Sequence, residues 1–310
     1  MSSDPAPYTA FVQLLAYAPR DAGPSPTPTR LGLLTDDGIR DLTASTGARD
    51  IGELLLAGRD VSDRDRGELV DPATVTFRAP LRRPGKIVCI GLNYYDHCRE
   101  QAVEPPVYPM LFAKFANAVA DPGQPVVRPR ATEKLDLECE LAVVMGRRAS
   151  HVARGEAMAS VFGYTVLNDV TMRDLQREDR QWLRAKGADG FAPIGPVVVT
   201  ADELGDAAAL RLRSAVNGEP WQDSSTAEMI FDLPTLIAFV SRTITLEAGD
   251  VIATGTPAGV GHFHDPPRYL EAGDVMRCEI EGIGVLENRV VDELPRSGDH
   301  ATVAGVAELQ

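Results

Sequence analysis

Lysine is scarce in this chain. Of its 31 basic residues 27 are arginines, and only Lys86, Lys114, Lys134 and Lys186 are lysines. A sequence that takes its surface charge from arginine keeps lysine where a compact, titratable ammonium is needed. Lys114 sits in the apolar run Met110–Phe115, and Lys186 opens a Gly/Pro-rich stretch from 187 to 196. Cysteine is sparse too. Cys89, Cys98, Cys139 and Cys278 have no paired spacing, which excludes a disulfide scaffold and a Cys/His zinc cluster and suits a reduced, cytoplasmic setting. With no signal-peptide pattern and no long apolar run, no membrane contact is expected. Positive charge is outweighed, 45 acidic residues against 31 basic for a net −14, which argues against nucleic-acid or anionic-membrane partners.

At 310 residues and 44% hydrophobic, the chain can bury a large core, one main domain with a smaller one beside it. Residues 1–75 read as a small β-rich unit. Tyr8 to Ala18 is strand-like, 23–28 is a Gly/Pro loop, Arg30 to Asp41 suggests a hairpin around Asp36-Asp37-Gly38, and Ile51 to Ala57 a short helix. Pro72 to Pro84 is rich in Pro and Arg, so 76–85 reads as a linker into a larger domain at 86–310. Beyond it come short strands, glycine turns and few helical patterns (Arg154–Val161, Thr171–Leu183, Leu233–Val240), an α+β, mostly β architecture. The hexapeptide Leu-Glu-Ala-Gly-Asp-Val occurs at 246 and again at 270, each copy reading as a turn that enters a strand.

The most informative segment is Glu138-Cys139-Glu140, inside a run from Leu135 to Met145 that otherwise reads as a buried strand. Side chains at i and i+2 of a strand leave one face, with Cα atoms about 6.5–7 Å apart. Two carboxylates that close on a buried face repel and lose hydration, so they call for a cation. An edge strand with a wet acidic face is the alternative. Asp169 adds a third carboxylate at the end of the apolar run Val161–Asn168, before a helix start with a capping-box pattern at Thr171; a helix cap is its other reading. Together the three would form an all-oxygen set suited to Mg²⁺ or Mn²⁺.

A second constellation follows the apolar run Lys86–Gly91. If residues 95 to 101 are helical, His97 and Glu100 share a face at i, i+3, and a carboxylate partner would orient the imidazole as a base. A solvated pair on a surface turn is the alternative. The glycine-rich turn Thr254–Gly261 offers amides and hydroxyls for a carboxylate or oxyanion, without P-loop or dinucleotide spacing. His262-Phe263-His264 reads as a solvated loop, with metal or substrate contact as its alternative.

From about Lys86 to Val291 these segments, in order, resemble the fumarylacetoacetate hydrolase family of the bacterial C-terminal-domain type. The resemblance is carried by Gly91-Leu92-Asn93-Tyr94 with His97 and Glu100, Leu135 to Leu141, Asn168-Asp169 with Arg173 to Gln176, and Lys186 with Phe191 to Pro196. Val216 to Glu219 and Leu246 to Pro257 complete it. It implies a mixed β-sandwich roll, usually a homodimer, with Glu138, Glu140 and Asp169 as ligands of Mg²⁺ or Mn²⁺. It also implies a water-activating pair at His97 and Glu100, and substrate contacts from Lys186, Gln176, Thr256 and Lys114. Phe115 stands where the family commonly has proline, a departure expected to reshape the pocket wall.

The first expected function is therefore a metal-dependent hydrolase cleaving a carbon–carbon bond in a small β-diketo or 2-oxo acid such as an acylpyruvate. Lys186 and Gln176 would stabilise the oxyanion. The alternative on the same site is an oxaloacetate-type decarboxylase or tautomerase, a dienoate isomerase or a lyase. A metal-stabilised scaffold without activity is the third reading, opposed by the intact His97, Glu100 and Lys186. Tyr95 to Pro109 is expected to act as a lid.

Overall fold

A computed structural model describes residues 13–20, 28–59, 61 and 67–295. Strands dominate, as expected for an α+β, mostly β chain, and form a twelve-stranded sheet, a five-stranded sheet and a two-stranded ribbon. At the centre of the large sheet lies Cys139–Met145, antiparallel to Val161–Asn168 on one side and to Val251–Ala253 on the other. Val251–Ala253 in turn runs parallel to Ile87–Gly91. The start of Cys139–Met145 and the ends of its three neighbours thus gather at one edge of the sheet, and the site is built there.

Alternation along Cys139–Met145 explains its complete burial. Cys139, Leu141, Val143 and Met145 face a core shared with the five-stranded sheet, where Leu212, Val216, Met276, Cys278 and Ile280 meet them. Ala142 and Val144 face a second core, under the helix Ile51–Leu56 with Leu31, Leu33 and Val198. Each fully buried Val or Leu contributes about 1.5–3 kcal/mol, so a one-residue slip of this strand is heavily disfavoured. The run is not one continuous strand, however. Leu135–Asp136 pairs separately with Thr171–Met172, and Leu137 and Glu138 lie between the two strands.

Several expectations take a different form. Of the N-terminal strand, Gln13–Pro19 is described, while Tyr8 to Val12 and most of the 23–28 loop lie outside the described residues. The hairpin forms as Arg30–Thr35 and Gly38–Asp41. The expected linker is partly sheet: Val75–Arg78 pairs with Ala16 to Pro19, whose strand also pairs with Val198 and Val199. The N-terminal strands therefore extend the sheet that carries the site. Arg154–Ser160 is a 3-10 helix, and the helix expected over Thr171–Leu183 is broken into Arg173–Glu178 and Leu183–Lys186. The repeated hexapeptide makes the same turn twice, the Asp250 and Asp274 carboxylates accepting from the amides of Glu247 and Glu271 before strands begin at Val251 and Val275. All four cysteines are buried and free. No helix among the described residues is long and apolar enough to cross a membrane.

Candidate active site and metal centre

Glu138, Glu140 and Asp169 converge at the sheet edge, each offering a carboxylate oxygen, all within 4.8 Å of one another and all buried. Backbone pairing brings them together. Cys139 stands opposite Asn168, and the Asp169 amide donates to the Glu138 carbonyl at 2.9 Å. The Asn168 side chain accepts from the Glu138 amide at 3.1 Å. Glu140 is fixed by one amide, Gly255 N to Oε2 at 2.9 Å. Gly255 has φ 97° and no room for a Cβ, which would lie 2.9 Å from that of Asn93.

Three cations balance this cluster. Lys186 Nζ contacts Glu138 Oε2 at 2.8 Å, Asp169 Oδ2 at 2.7 Å and the Thr171 hydroxyl at 2.9 Å. Lys114 Nζ lies 2.6 Å from Asp169 Oδ1 and donates to the carbonyls of Phe191, Val170 and Lys186. Arg173 Nη1 lies 2.6 Å from Glu138 Oε1, while its Nε donates to Asp136 at 2.9 Å. Burial would raise the Glu138 carboxyl, but Lys186 and Arg173 outweigh it and hold it at about 2. Burial would likewise lower the Lys186 ammonium, yet Asp169 and Glu138 keep it above its ordinary value. Glu140 has no such partner. Burial first, then the charges of Asp169 and Glu138, push its carboxyl well above the usual range. A divalent cation among the three would remove that penalty, and an all-oxygen donor set suits Mg²⁺ or Mn²⁺. The residues present fit such an ion.

His97 and Glu100 lie on the helix Tyr95–Glu100, with Nδ1 and Oε2 2.7 Å apart. The other Glu100 oxygen accepts from Gly259 N at 2.7 Å, and the His97 ring meets Phe263 edge-on at 5.7 Å. The pair is therefore packed and oriented. A cavity of about 260 Å³ brings His97 to the same space as Glu138, Glu140, Arg173, Gln176 and Lys186.

Other residues singled out in the sequence are placed differently. Lys114 does not line the cavity; it lies beneath Asp169 among backbone carbonyls. Thr256 lines it, but its hydroxyl donates to the Cys139 carbonyl at 3.0 Å and accepts from Gln222 at 2.7 Å. Gln176 lines it and accepts from Arg173 at 3.1 Å through Oε1. The glycine-turn amides are committed to the protein's own anions: Gly255 to Glu140, Gly259 to Glu100, Gly261 to Asp136. Phe115 is 57% exposed and outside the cavity, so it does not shape that wall. His262 and Phe263 line the cavity, and His264 bonds to the Gly259 carbonyl, so this loop is packed, not simply solvated. The stretch from Gln101 to Pro109 contains no helix or strand, and Tyr108 stacks on Phe239.

Residues 86–291 match the family model described as fumarylacetoacetate (FAA) hydrolase C-terminal. The chain belongs to the fumarylacetoacetate hydrolase family. It is 48% identical over 219 residues to the mitochondrial oxaloacetate tautomerase FAHD2A of Bos taurus, 70% of each chain being covered. A fumarylacetoacetate hydrolase from psychrophilic Exiguobacterium antarcticum superposes with a TM-score of 0.82 at 38% identity, over 91% of this chain and 100% of that one. Maleylpyruvate hydrolase from Sphingobium sp. SYK-6, solved with manganese (II) ion and pyruvate, superposes with a TM-score of 0.75 at 30% identity, with the same coverage.

Within this member of the fumarylacetoacetate hydrolase family, two supporting residues escaped attention in the sequence. Asp136 is fully buried and accepts from Leu137 N, Gly261 N, His262 N and Arg173, joining the acidic strand to the glycine turn. Gln222 joins the second sheet to the site, accepting from Cys139 N and donating to Thr256 and the Pro257 carbonyl. For Asp136 the available signal was a lone acid between Leu135 and Leu137; the polar surroundings of Gln222, Glu219 to Ser225, gave none.

Proposed function

We propose that the chain is a divalent-metal-dependent enzyme that interconverts the keto and enol forms of a 2-oxo acid of the oxaloacetate kind. The observation that carries this reading is a single cavity lined by His97, its Nδ1 fixed by Glu100 at 2.7 Å, and by the carboxylates of Glu138 and Glu140. A cation held by Glu138, Glu140 and Asp169 would supply Lewis acidity toward the 2-oxo acid oxygens.

The chain's own groups do the rest. Glu100 holds Nδ1, leaving Nε2 of His97 as the base that takes a proton from the carbon beside the ketone. The C–H electron pair becomes the carbon–carbon double bond, and negative charge grows on the ketone oxygen. Arg173 and Gln176 offer N–H donors on the cavity wall for that oxygen. Return of the proton to oxygen gives the enol; return to carbon restores the ketone. Lys186 and Lys114 act as positioning residues, fixing Asp169 from two sides while Lys186 also holds Glu138.

This reverses the order of reactions expected from the sequence. Tautomerisation needs only the proton movements that the dyad supplies, and the likeness to an oxaloacetate tautomerase at 48% identity supports it. Carbon–carbon hydrolysis of an acylpyruvate is the second reading, favoured by the likeness to a maleylpyruvate hydrolase. It asks His97 to take its proton from water instead.

The test follows the ultraviolet absorbance of enol oxaloacetate, and acylpyruvate cleavage in parallel, with Mg²⁺ or Mn²⁺ and with chelator. Metal-dependent decay of the enol that is lost in His97→Ala supports the tautomerase. Cleavage of acylpyruvate alone moves the assignment to the hydrolase, and metal-independent turnover on either acid overturns both.

A further inference from the structure

The helix Arg173–Glu178 presents three side chains to the cavity, Arg173, Gln176 and Arg177, at the i, i+3, i+4 spacing of a single helical face. Two of them are engaged. Arg173 is clamped between Asp136 and Glu138, and Gln176 accepts from Arg173. Arg177 is different: it is exposed, and among the described residues its side chain has no hydrogen bond or ion pair. Other exposed arginines, Arg82, Arg147 and Arg242 among them, likewise show no ion pair among the described residues; Arg177 is set apart by lining the cavity, while others find acids. Arg99 pairs with Glu228, Arg148 with Glu247, Arg184 with Asp179 and Arg211 with Asp223.

The cavity lining that includes Arg177 also includes His262, whose Nδ1 lies 2.8 Å from the Tyr269 hydroxyl. Burial, then Arg173, with Lys134 and Arg177 adding to it against Asp136, hold this imidazole below its ordinary pKa. In a chain with a net charge of −14, Arg177 is thus a cationic side chain on the cavity lining that no acid among the described residues neutralises, which favours a negatively charged ligand group.

We propose that Arg177 is a specificity-determining residue that recognises a second carboxylate of the substrate, on a cavity wall shared with His262. The inference rests on the 2-oxo acid reading above and adds which acids are preferred: those with a carboxylate at both ends. An unpaired guanidinium suits that role, because its planar fork matches a carboxylate and no internal ion pair must first be broken.

The experiment is calorimetric titration of the Mg²⁺-loaded protein with oxaloacetate and with 2-oxobutyrate, which differ only in a terminal carboxylate against a methyl. Wild type, Arg177→Gln and Arg177→Lys are compared. Wild type should bind oxaloacetate at least about tenfold more tightly, the size expected of one charge-assisted contact. Arg177→Gln should abolish most of that ratio while moving the 2-oxobutyrate Kd by less than about twofold, and Arg177→Lys should restore part of it. A wild-type ratio near one, a ratio unchanged in Arg177→Gln, equal weakening of both acids, or no binding of either acid overturns the proposal. Turnover is measured separately. A preference for oxaloacetate that follows Arg177, without any keto–enol conversion, refutes the proposed reaction and leaves the subsite standing; conversion with no such preference does the reverse.

Discussion

Replacing Lys186 by methionine should expose the repulsion that this site contains. Methionine keeps much of the apolar stem and removes an ammonium that contacts Glu138 at 2.8 Å, Asp169 at 2.7 Å and Thr171 at 2.9 Å. Each carboxylate retains one cation, Arg173 on Glu138 and Lys114 on Asp169, both at 2.6 Å. The loss therefore belongs at the low end of the range for breaking a buried ion pair, about 3 kcal/mol. At about 2 °C per kcal/mol for a chain of this size, the metal-free thermal midpoint should fall by roughly 6 °C. Mg²⁺ at a hundred times its Kd would stabilise wild type by about 2.7 kcal/mol through mass action alone. In Lys186→Met it should raise the midpoint further than in wild type, because it also relieves charges that the lysine no longer neutralises. Scanning fluorimetry with chelator and with Mg²⁺ measures both effects. A metal-free drop under about 2 °C, or equal Mg²⁺ shifts in the two proteins, would refute the reasoning.

Asp136→Asn should lower the thermal midpoint by the equivalent of about 3 kcal/mol, since it removes a buried anion that serves Arg173 and three backbone amides; an unchanged midpoint counts against that role. Glu100→Gln should retain an acceptor for Gly259 N but weaken the hold on His97, cutting kcat about a hundredfold with KM within about twofold. A KM effect without a kcat effect would move Glu100 out of the chemistry. For Glu140, the folded carboxyl lies well above its ordinary value. Above that ordinary value the unfolded chain has lost the proton and the folded chain keeps it, so this contribution to metal-free stability is present below the window and is lost as pH rises through it, by up to about 1.4 kcal/mol per pH unit. Metal binding within the window should release about one proton, read by calorimetry in buffers of different ionisation enthalpy; flat metal-free stability and no proton release would contradict the assignment.

What could be read from the sequence was what local pattern determines. Ile87–Gly91, Cys139–Met145 and Val161–Asn168 are apolar runs bounded by polar or glycine residues, and all three are strands. The i, i+3 spacing of His97 and Glu100 is a property of one short helix, so their contact followed from it. Long-range pairing was not legible. Val75–Arg78 looked like linker because its partner strand begins some sixty residues earlier, and nothing in its own pattern marks that pairing. Thr171 looked like a helix cap, yet its hydroxyl accepts from Lys186 and donates to the Asp169 carbonyl, a choice set by tertiary contacts. The glycine turn advertised anion binding correctly but not which anions, since Glu100, Asp136 and Glu140 reach it from three other segments.

The charge balance ties these parts into one design. Around the sheet edge, four buried carboxylates, Asp136, Glu138, Glu140 and Asp169, face three buried cations, Lys114, Arg173 and Lys186. One negative charge is left over, and it falls on Glu140, the carboxylate held by a single amide. Without metal, burial and its two acidic neighbours raise the Glu140 carboxyl and so favour a proton there, which relieves that excess. A dication in place of that proton turns the excess of one negative charge into an excess of one positive charge, directed at a cavity whose outer wall already carries Arg177. The lysines that a largely arginine-based sequence retained at 114 and 186 set this balance: with one fewer, the site would approach neutrality on binding its cation and lose its pull on an anionic acid; with one more, three carboxylates would have little need of a metal at all.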